Sequence, residues 1–202
     1  MDKIKLLFLD IGGVLLSDGW NHASRLEAIE KFDLDPIPFQ KDHATAFPLF
    51  ENGKLTLDEY LECVVFNVKR DFSKAEFSEF MFSRTSELPD FLPWLINWKK
   101  ETGIKIFSIN NEGKEFNDYR IKTFGLHRVF DAFVSSCEIG FSKPDPSIFK
   151  LALGIAQEEA QNCLYFDDRA IHVSIAKHIG LNAHIHESFE KSKSILESIK
   201  KA

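Results

Sequence analysis

The chain opens on an uninterrupted apolar run, Leu6-Leu7-Phe8-Leu9, that ends in one carboxylate, Asp10, and breaks into the pair Gly12-Gly13. An apolar run of this length without alternation, bounded by a turn, specifies a strand buried on both faces. Such a strand delivers Asp10 to the edge of a sheet, and the glycines let backbone approach a ligand closely.

The rest of the chain says what kind of sheet this is. Short apolar runs recur at 104–108, 132–135, 163–166 and 183–185, separated by helical stretches at 93–102, 113–124, 146–154 and 171–179, with a polar helix at 187–200. Alternation of this kind predicts a parallel sheet covered on both faces. Asp145 is placed to cap the helix that Pro146 begins. Between the first strand and residue 88 no period-2 strand is convincing. Helices are expected from Trp20 to Phe32 and at 37–50, 56–69 and 74–87, the third opening on Thr56-Leu57-Asp58-Glu59. The fold class is therefore α/β, a Rossmann-like parallel core with an inserted α-helical unit. Residues 1–15 and 89–202 are expected to form the core, and 16–88 the insertion.

In open parallel sheets ligands sit at the carboxyl ends of the strands. That rule gathers Asp10, Ser108, Asp167 and Asp168 onto one edge, with Lys143 on a loop just past the third strand. Three carboxylates beside one lysine and one hydroxyl call for a cation, and hard oxygen ligands suit magnesium. Each residue alone has a plainer reading. Asp10 alone is a turn residue, Ser108 a helix cap, Lys143 a solvated surface lysine, and the acid pair another cap. Their conjunction, in order and at matching element ends, is what points to a site.

The motifs Leu9-Asp10-Ile11-Gly12-Gly13-Val14, Phe107-Ser108-Ile109-Asn110-Asn111, Ser142-Lys143-Pro144-Asp145-Pro146 and Tyr165-Phe166-Asp167-Asp168 resemble those of the haloacid dehalogenase (HAD) superfamily. The branch resembled is the phosphatase-like one, with a helical cap after the first strand. The resemblance implies a magnesium-dependent phosphatase in which Asp10 attacks phosphorus and forms an aspartyl-phosphate. Ser108, Asn110 and Lys143 would contact the phosphoryl group, and Lys143 would also hold the nucleophile. Asp10, Asp168 and the backbone carbonyl of Gly12 would ligate Mg2+, with Asp167 acting through a bound water.

One departure matters. Most phosphatases of this family carry aspartate two residues after the nucleophile, where it protonates the leaving alcohol and later activates water. This chain has Gly12 there. Three readings follow: a phosphatase working without that acid, a protein that binds a phosphorylated ligand or partner without turnover, or a 2-haloacid dehalogenase. The dehalogenase reading fits less well, because those enzymes are metal-independent and replace the acid pair that this chain keeps as Asp167 and Asp168. A smaller departure is Ile109, where many relatives have asparagine.

The net charge of −6 argues against nucleic-acid binding through a basic surface, and no apolar run is long enough to span a bilayer. Cys63, Cys137 and Cys163 make no C-x-x-C pair and are expected to be buried small hydrophobes in a reducing compartment. With no signal peptide evident at Met1-Asp2, a cytoplasmic location is expected. The partner implied is a small phosphorylated metabolite, the best class being a sugar phosphate or similar phosphomonoester, handled by a monomer or weak dimer. Trp20, Asn21 and His22, near the expected hinge, are candidates to touch a leaving group.

Overall fold

The computed structural model describes residues 4–200. Strand β1 (Leu6–Leu9) is followed by four helices, α1 (His22–Lys31), α2 (Pro36–Glu51), α3 (Leu57–Val64) and α4 (Lys74–Ser83). Then come α5 (Phe91–Thr102), β2 (Lys105–Asn110), α6 (Lys114–Thr123), β3 (Ala132–Ser135) and the short α7 (Ser136–Ile139). The chain ends with α8 (Pro146–Ala156), β4 (Cys163–Asp167), α9 (Ala170–His178), β5 (Asn182–Ile185) and α10 (Phe189–Lys200). The five strands form one sheet in the order β3-β2-β1-β4-β5, with every pairing parallel. β1 sits at the centre, which is why all four of its residues are buried.

Period-2 alternation sends the strand side chains to two separate layers. Leu7, Leu9 and Ile106 pack with Phe91, Leu95 and Trp98 of α5 and Leu196 of α10. Leu6, Phe8 and Tyr165 pack with Ile148 and Phe149 of α8 and Val173 and Ala176 of α9. Asp145 caps α8 by accepting from Ser147 N at 2.8 Å, with Pro146 at the first turn. Among the described residues no helix is long and apolar enough to cross a membrane. The free cysteines differ in environment, with Cys163 buried, Cys137 half-buried and Cys63 exposed, so burial accounts for only one of them fully.

Helices α1–α4 build a core of their own from Phe39, Phe50, Tyr60 and Phe77, joined by Phe116 of α6. Two ends fall short of the expected helices. α3 stops at Val64, where Arg70 Nε takes the Val65 carbonyl at 2.7 Å. α4 stops at Ser83 because the following chain turns to pair with the segment leaving β1. There Ser17 N donates to Ser86 O at 2.8 Å and Leu88 N to Leu15 O at 2.9 Å. The two connections between the helical insertion and the sheet are thus tied side by side. Trp20 is buried and Asn21 caps α1 through Ser24 N, so both serve the fold, and His22 begins the helix.

The insertion carries a buried pH-sensitive relay. Trp20 Nε1 donates to Tyr60 Oη at 3.0 Å, which leaves the tyrosine hydrogen for His43 Nδ1 at 2.8 Å. Burial, aided by the charge of Arg25, holds the His43 pKa down to about 4. An unfolded chain takes up this proton near pH 6.5, so stability is full above pH 6.5 and falls as the pH drops toward 4. From pH 7 to pH 5 the loss should be about 1–2 kcal/mol. Chemical denaturation of wild type and His43→Gln at both pH values should show it as a difference; equal pH dependence of the two would refute it.

Candidate active site

Asp10 follows β1 directly, and its backbone N–H donates to Phe166 O of the neighbouring strand at 3.0 Å. Its Oδ1 accepts from Ile11 N at 2.7 Å, and its Oδ2 meets Lys143 Nζ at 2.8 Å. The same ammonium lies 2.7 Å from Asp167 Oδ2, so one buried cation joins two buried carboxylates. Lys143 is fixed by its backbone as well: Asn111 Oδ1 accepts its N–H and Asn111 Nδ2 donates to its carbonyl, both at 2.8 Å. The Lys143–Pro144 peptide is cis.

Asp167 is the anchor of this arrangement. Besides Lys143 it accepts from Tyr165 Oη, from Arg169 N at 2.8 Å and from His172 Nδ1 at 3.0 Å. Facing an ionised carboxylate, Nδ1 is the protonated nitrogen of that ring. Both Asp167 oxygens are thereby used inside the protein. In this arrangement Asp167 holds the lysine, alongside the role through a metal-bound water expected of it from the sequence. Ligand atoms of Asp10, Asp167 and His172 lie within 4.8 Å of one another, and the Lys143 ammonium sits against both carboxylates of that cluster.

The two carboxylates differ in charge affinity. Burial, with the Asp167 charge added, raises the Asp10 pKa to about 7 against the pull of Lys143. Asp167 resists its burial, because the bonds from His172 and Lys143 hold it below the ordinary carboxylate range. Burial disfavours the Lys143 ammonium, but its two carboxylate partners outweigh that and raise its pKa.

Asp168 opens to a different environment. It abuts the glycine turn, and its Oδ1 is buried without any hydrogen-bond partner. A Cβ on Gly13 would come 2.5 Å from Asp168 Oδ2, and Gly13 has φ +67°, so glycine is required on both counts. Burial, then the charges of Asp167 and Asp18, raises the Asp168 pKa. Asp10, Gly12, Gly13, Lys143, Asp167 and Asp168 are therefore gathered at one edge.

Ser108 is not among them. β2 runs to Asn110, two residues beyond the expected strand end, and Ser108 pairs with Leu9. Alternation turns it to the layer of Leu7 and Leu9, where it is fully buried and donates to Asn110 Oδ1 at 2.9 Å. Asn110 accepts a second bond from Ser135 Oγ at 3.0 Å and donates to Asn117 Oδ1 at 3.1 Å. Both side chains, expected from the sequence near a phosphoryl group, belong here to a buried network that ties β2, β3 and α6 together.

Several residues at this edge escaped the sequence reading. Asn111 clamps Lys143, and Tyr165 and His172 steady Asp167. Arg120 is buried on α6, pairing with Glu112 at 2.9 Å and donating to Ser17 O at 2.6 Å. The available signals were spacing: Tyr165 shares a strand face with Asp167, and Phe116, Asn117 and Arg120 share a helix face.

The profile of the haloacid dehalogenase-like hydrolases matches residues 4–180. A HAD family enzyme from Bacteroides thetaiotaomicron superposes with a TM-score of 0.77 at 21% identity, covering 91% of this chain and 94% of that one. The same enzyme in complex with magnesium and inorganic phosphate gives 0.75 at 21% identity, over 90% and 93%. The L-2-haloacid dehalogenase of Xanthobacter autotrophicus gives 0.62 at 13% identity, over 89% and 76%. A stretch of 56 residues is 35% identical to bifunctional epoxide hydrolase 2 of Sus scrofa, covering 28% of this chain and 10% of that protein. With a parallel sheet ordered around β1, Asp10 directly after that strand and a family match spanning most of its length, this chain belongs to the haloacid dehalogenase-like hydrolases.

Proposed function

We propose that this hydrolase is a magnesium-dependent phosphatase that cleaves a small phosphomonoester through an aspartyl-phosphate on Asp10. The observation that carries the reading is the partnerless buried Oδ1 of Asp168 beside the Asp10 turn. A buried carboxylate oxygen without a donor is costly unless a cation or water meets it. The donor set there, Asp168, Asp10 and the Gly12 carbonyl, is all oxygen and suits magnesium. A bound magnesium would neutralise phosphoryl oxygens as charge moves in the transfer.

The chain's own residues supply the rest. Asp10 presents a carboxylate oxygen to phosphorus, and Lys143, held by Asp167 and Asn111, brings a fixed positive charge to the same place. Transfer of this kind depends on positioning and charge rather than on bonds the protein must make elsewhere. The helical insertion is read as a cap. Its α2 ends against the site loop, where Ser136 Oγ accepts from Glu112 N at 2.9 Å and donates to the Glu51 carbonyl at 2.6 Å. Substrate selection would then fall to the insertion.

Solved relatives of this fold include both an enzyme with magnesium and phosphate and dehalogenases. A panel of phosphate esters assayed with magnesium and with a chelator separates the possibilities. Phosphate release that requires magnesium is expected. Metal-independent halide release from a 2-haloacid would replace this reading with a dehalogenase. Phosphorylated compounds that raise the melting temperature without being hydrolysed would replace it with a binding protein.

A further inference from the structure

We propose that Asp18 takes over the proton transfers for which Gly12 has no side chain. The inference rests on the phosphatase reading. The turn after Asp10 folds back on itself, with Gly13 N donating to Leu16 O at 2.8 Å and Gly12 bridged to Leu16. This reversal brings residue 18 alongside residue 12. A Cβ built on Gly12 would lie 3.2 Å from Asp18 Oδ1, so the carboxylate of Asp18 occupies the space into which a side chain at position 12 would extend. Asp18 also lies close enough to Asp168 for its charge to act there.

The side chain of Asp18 is exposed, but its backbone is pinned on both sides. The Ser17 carbonyl accepts from Arg120 Nη2 at 2.6 Å, and Ser17 N donates to Ser86 O at 2.8 Å. The Gly19 carbonyl accepts from Ser24 Oγ at 2.6 Å. An acid on a merely solvated turn has no such fixing. Arg120 Nη1, 3.6 Å from the same empty Cβ position, is already paired with Glu112, which leaves Asp18 as the carboxylate at that place able to exchange a proton.

The chemistry balances with no additional reactant. As Asp10 Oδ bonds to phosphorus and the phosphorus–oxygen bond to the leaving group breaks, the Asp18 carboxylic acid gives its proton to the departing alkoxide. Its carboxylate then takes a proton from water as the water oxygen bonds to phosphorus and the bond to Asp10 breaks. Asp10 leaves as carboxylate, inorganic phosphate is released, and Asp18 is again an acid.

The test compares p-nitrophenyl phosphate, whose leaving group needs no proton, with glycerol 2-phosphate, whose alkoxide does. In the full chain, Asp18→Asn should release one equivalent of p-nitrophenol in a rapid burst and then turn over about 10²-fold more slowly than wild type. On glycerol 2-phosphate it should show no burst and fall by at least about 10²-fold. Steady-state rates unchanged from wild type, or loss of the burst together with turnover, would overturn the proposal while the phosphatase reading stands. A wild-type chain that releases no phosphate from either ester would overturn both.

Discussion

Asp10→Asn should lose at least about 10³-fold in phosphate release, equivalent to about 4 kcal/mol of barrier, while the protein remains folded. The amide nitrogen cannot form the phosphoenzyme, and no other described carboxylate faces Lys143 from the same side. Asp167 is the other carboxylate on that ammonium, but its oxygens are held by Tyr165, Arg169 and His172. The cost in stability is limited for two reasons. Lys143 keeps Asp167 at 2.7 Å, and Asp10 is already pushed toward neutrality, its pKa raised to about 7 by burial and by Asp167. Against this, one end of the amide must place an N–H toward either Lys143 Nζ or Ile11 N, where Asp10 now accepts from both. A net loss of about 1–2 kcal/mol is expected. Phosphate release and urea denaturation on the same preparation check both halves. Residual turnover above about a tenth of wild type would remove Asp10 as the nucleophile.

The sequence made parts of this site legible because they are local. An apolar run ending in Asp10 predicts a strand buried on both faces, and β1 is fully buried at the centre of the sheet. Asp145-Pro146 predicts a helix start, and α8 begins there. Thr56 and Glu59 predict a capped helix, and both bonds of the capping box form. What failed was the end of β2. In Ile106-Phe107-Ser108-Ile109-Asn110 a polar residue interrupts an apolar run and reads as the strand's edge. Ser108 is instead an inward residue that donates to Asn110, which is held in turn by Ser135 of β3 and Asn117 of α6. A buried polar network of that kind has no signature within one segment, since Asn110 depends on Asn117, 7 positions on, and on Ser135, 25 positions on. The same holds for the clamp of Asn111 on Lys143, 32 positions apart in the chain, and for Asp18, whose place beside Gly12 depends on how the turn folds back.

Lys143→Met should destabilise the protein by about 3–5 kcal/mol near pH 8, more than any other single change at this edge. Methionine replaces most of the volume of the lysine stem, so packing is nearly kept and the loss is one of charge. The variant leaves Asp10 and Asp167 buried, close together and without their shared cation, although Tyr165, Arg169 and His172 still serve Asp167. Asp10 has fewer donors and relieves the conflict by binding a proton, its pKa rising above the value of about 7 that it has beside Lys143. The sign follows: a group whose folded pKa is raised gains stability as the pH falls through that value. The deficit relative to wild type should therefore shrink from pH 8 to pH 5, whereas a simple packing defect would be the same at both. Denaturation of the two proteins at both pH values distinguishes them. Phosphate release should fall with the variant even at low temperature, where enough of it is folded to assay, because the nucleophile then carries a proton and the phosphoryl group meets no fixed positive charge from the protein. A variant as stable as wild type at pH 8 would show that Lys143 does not balance this pair.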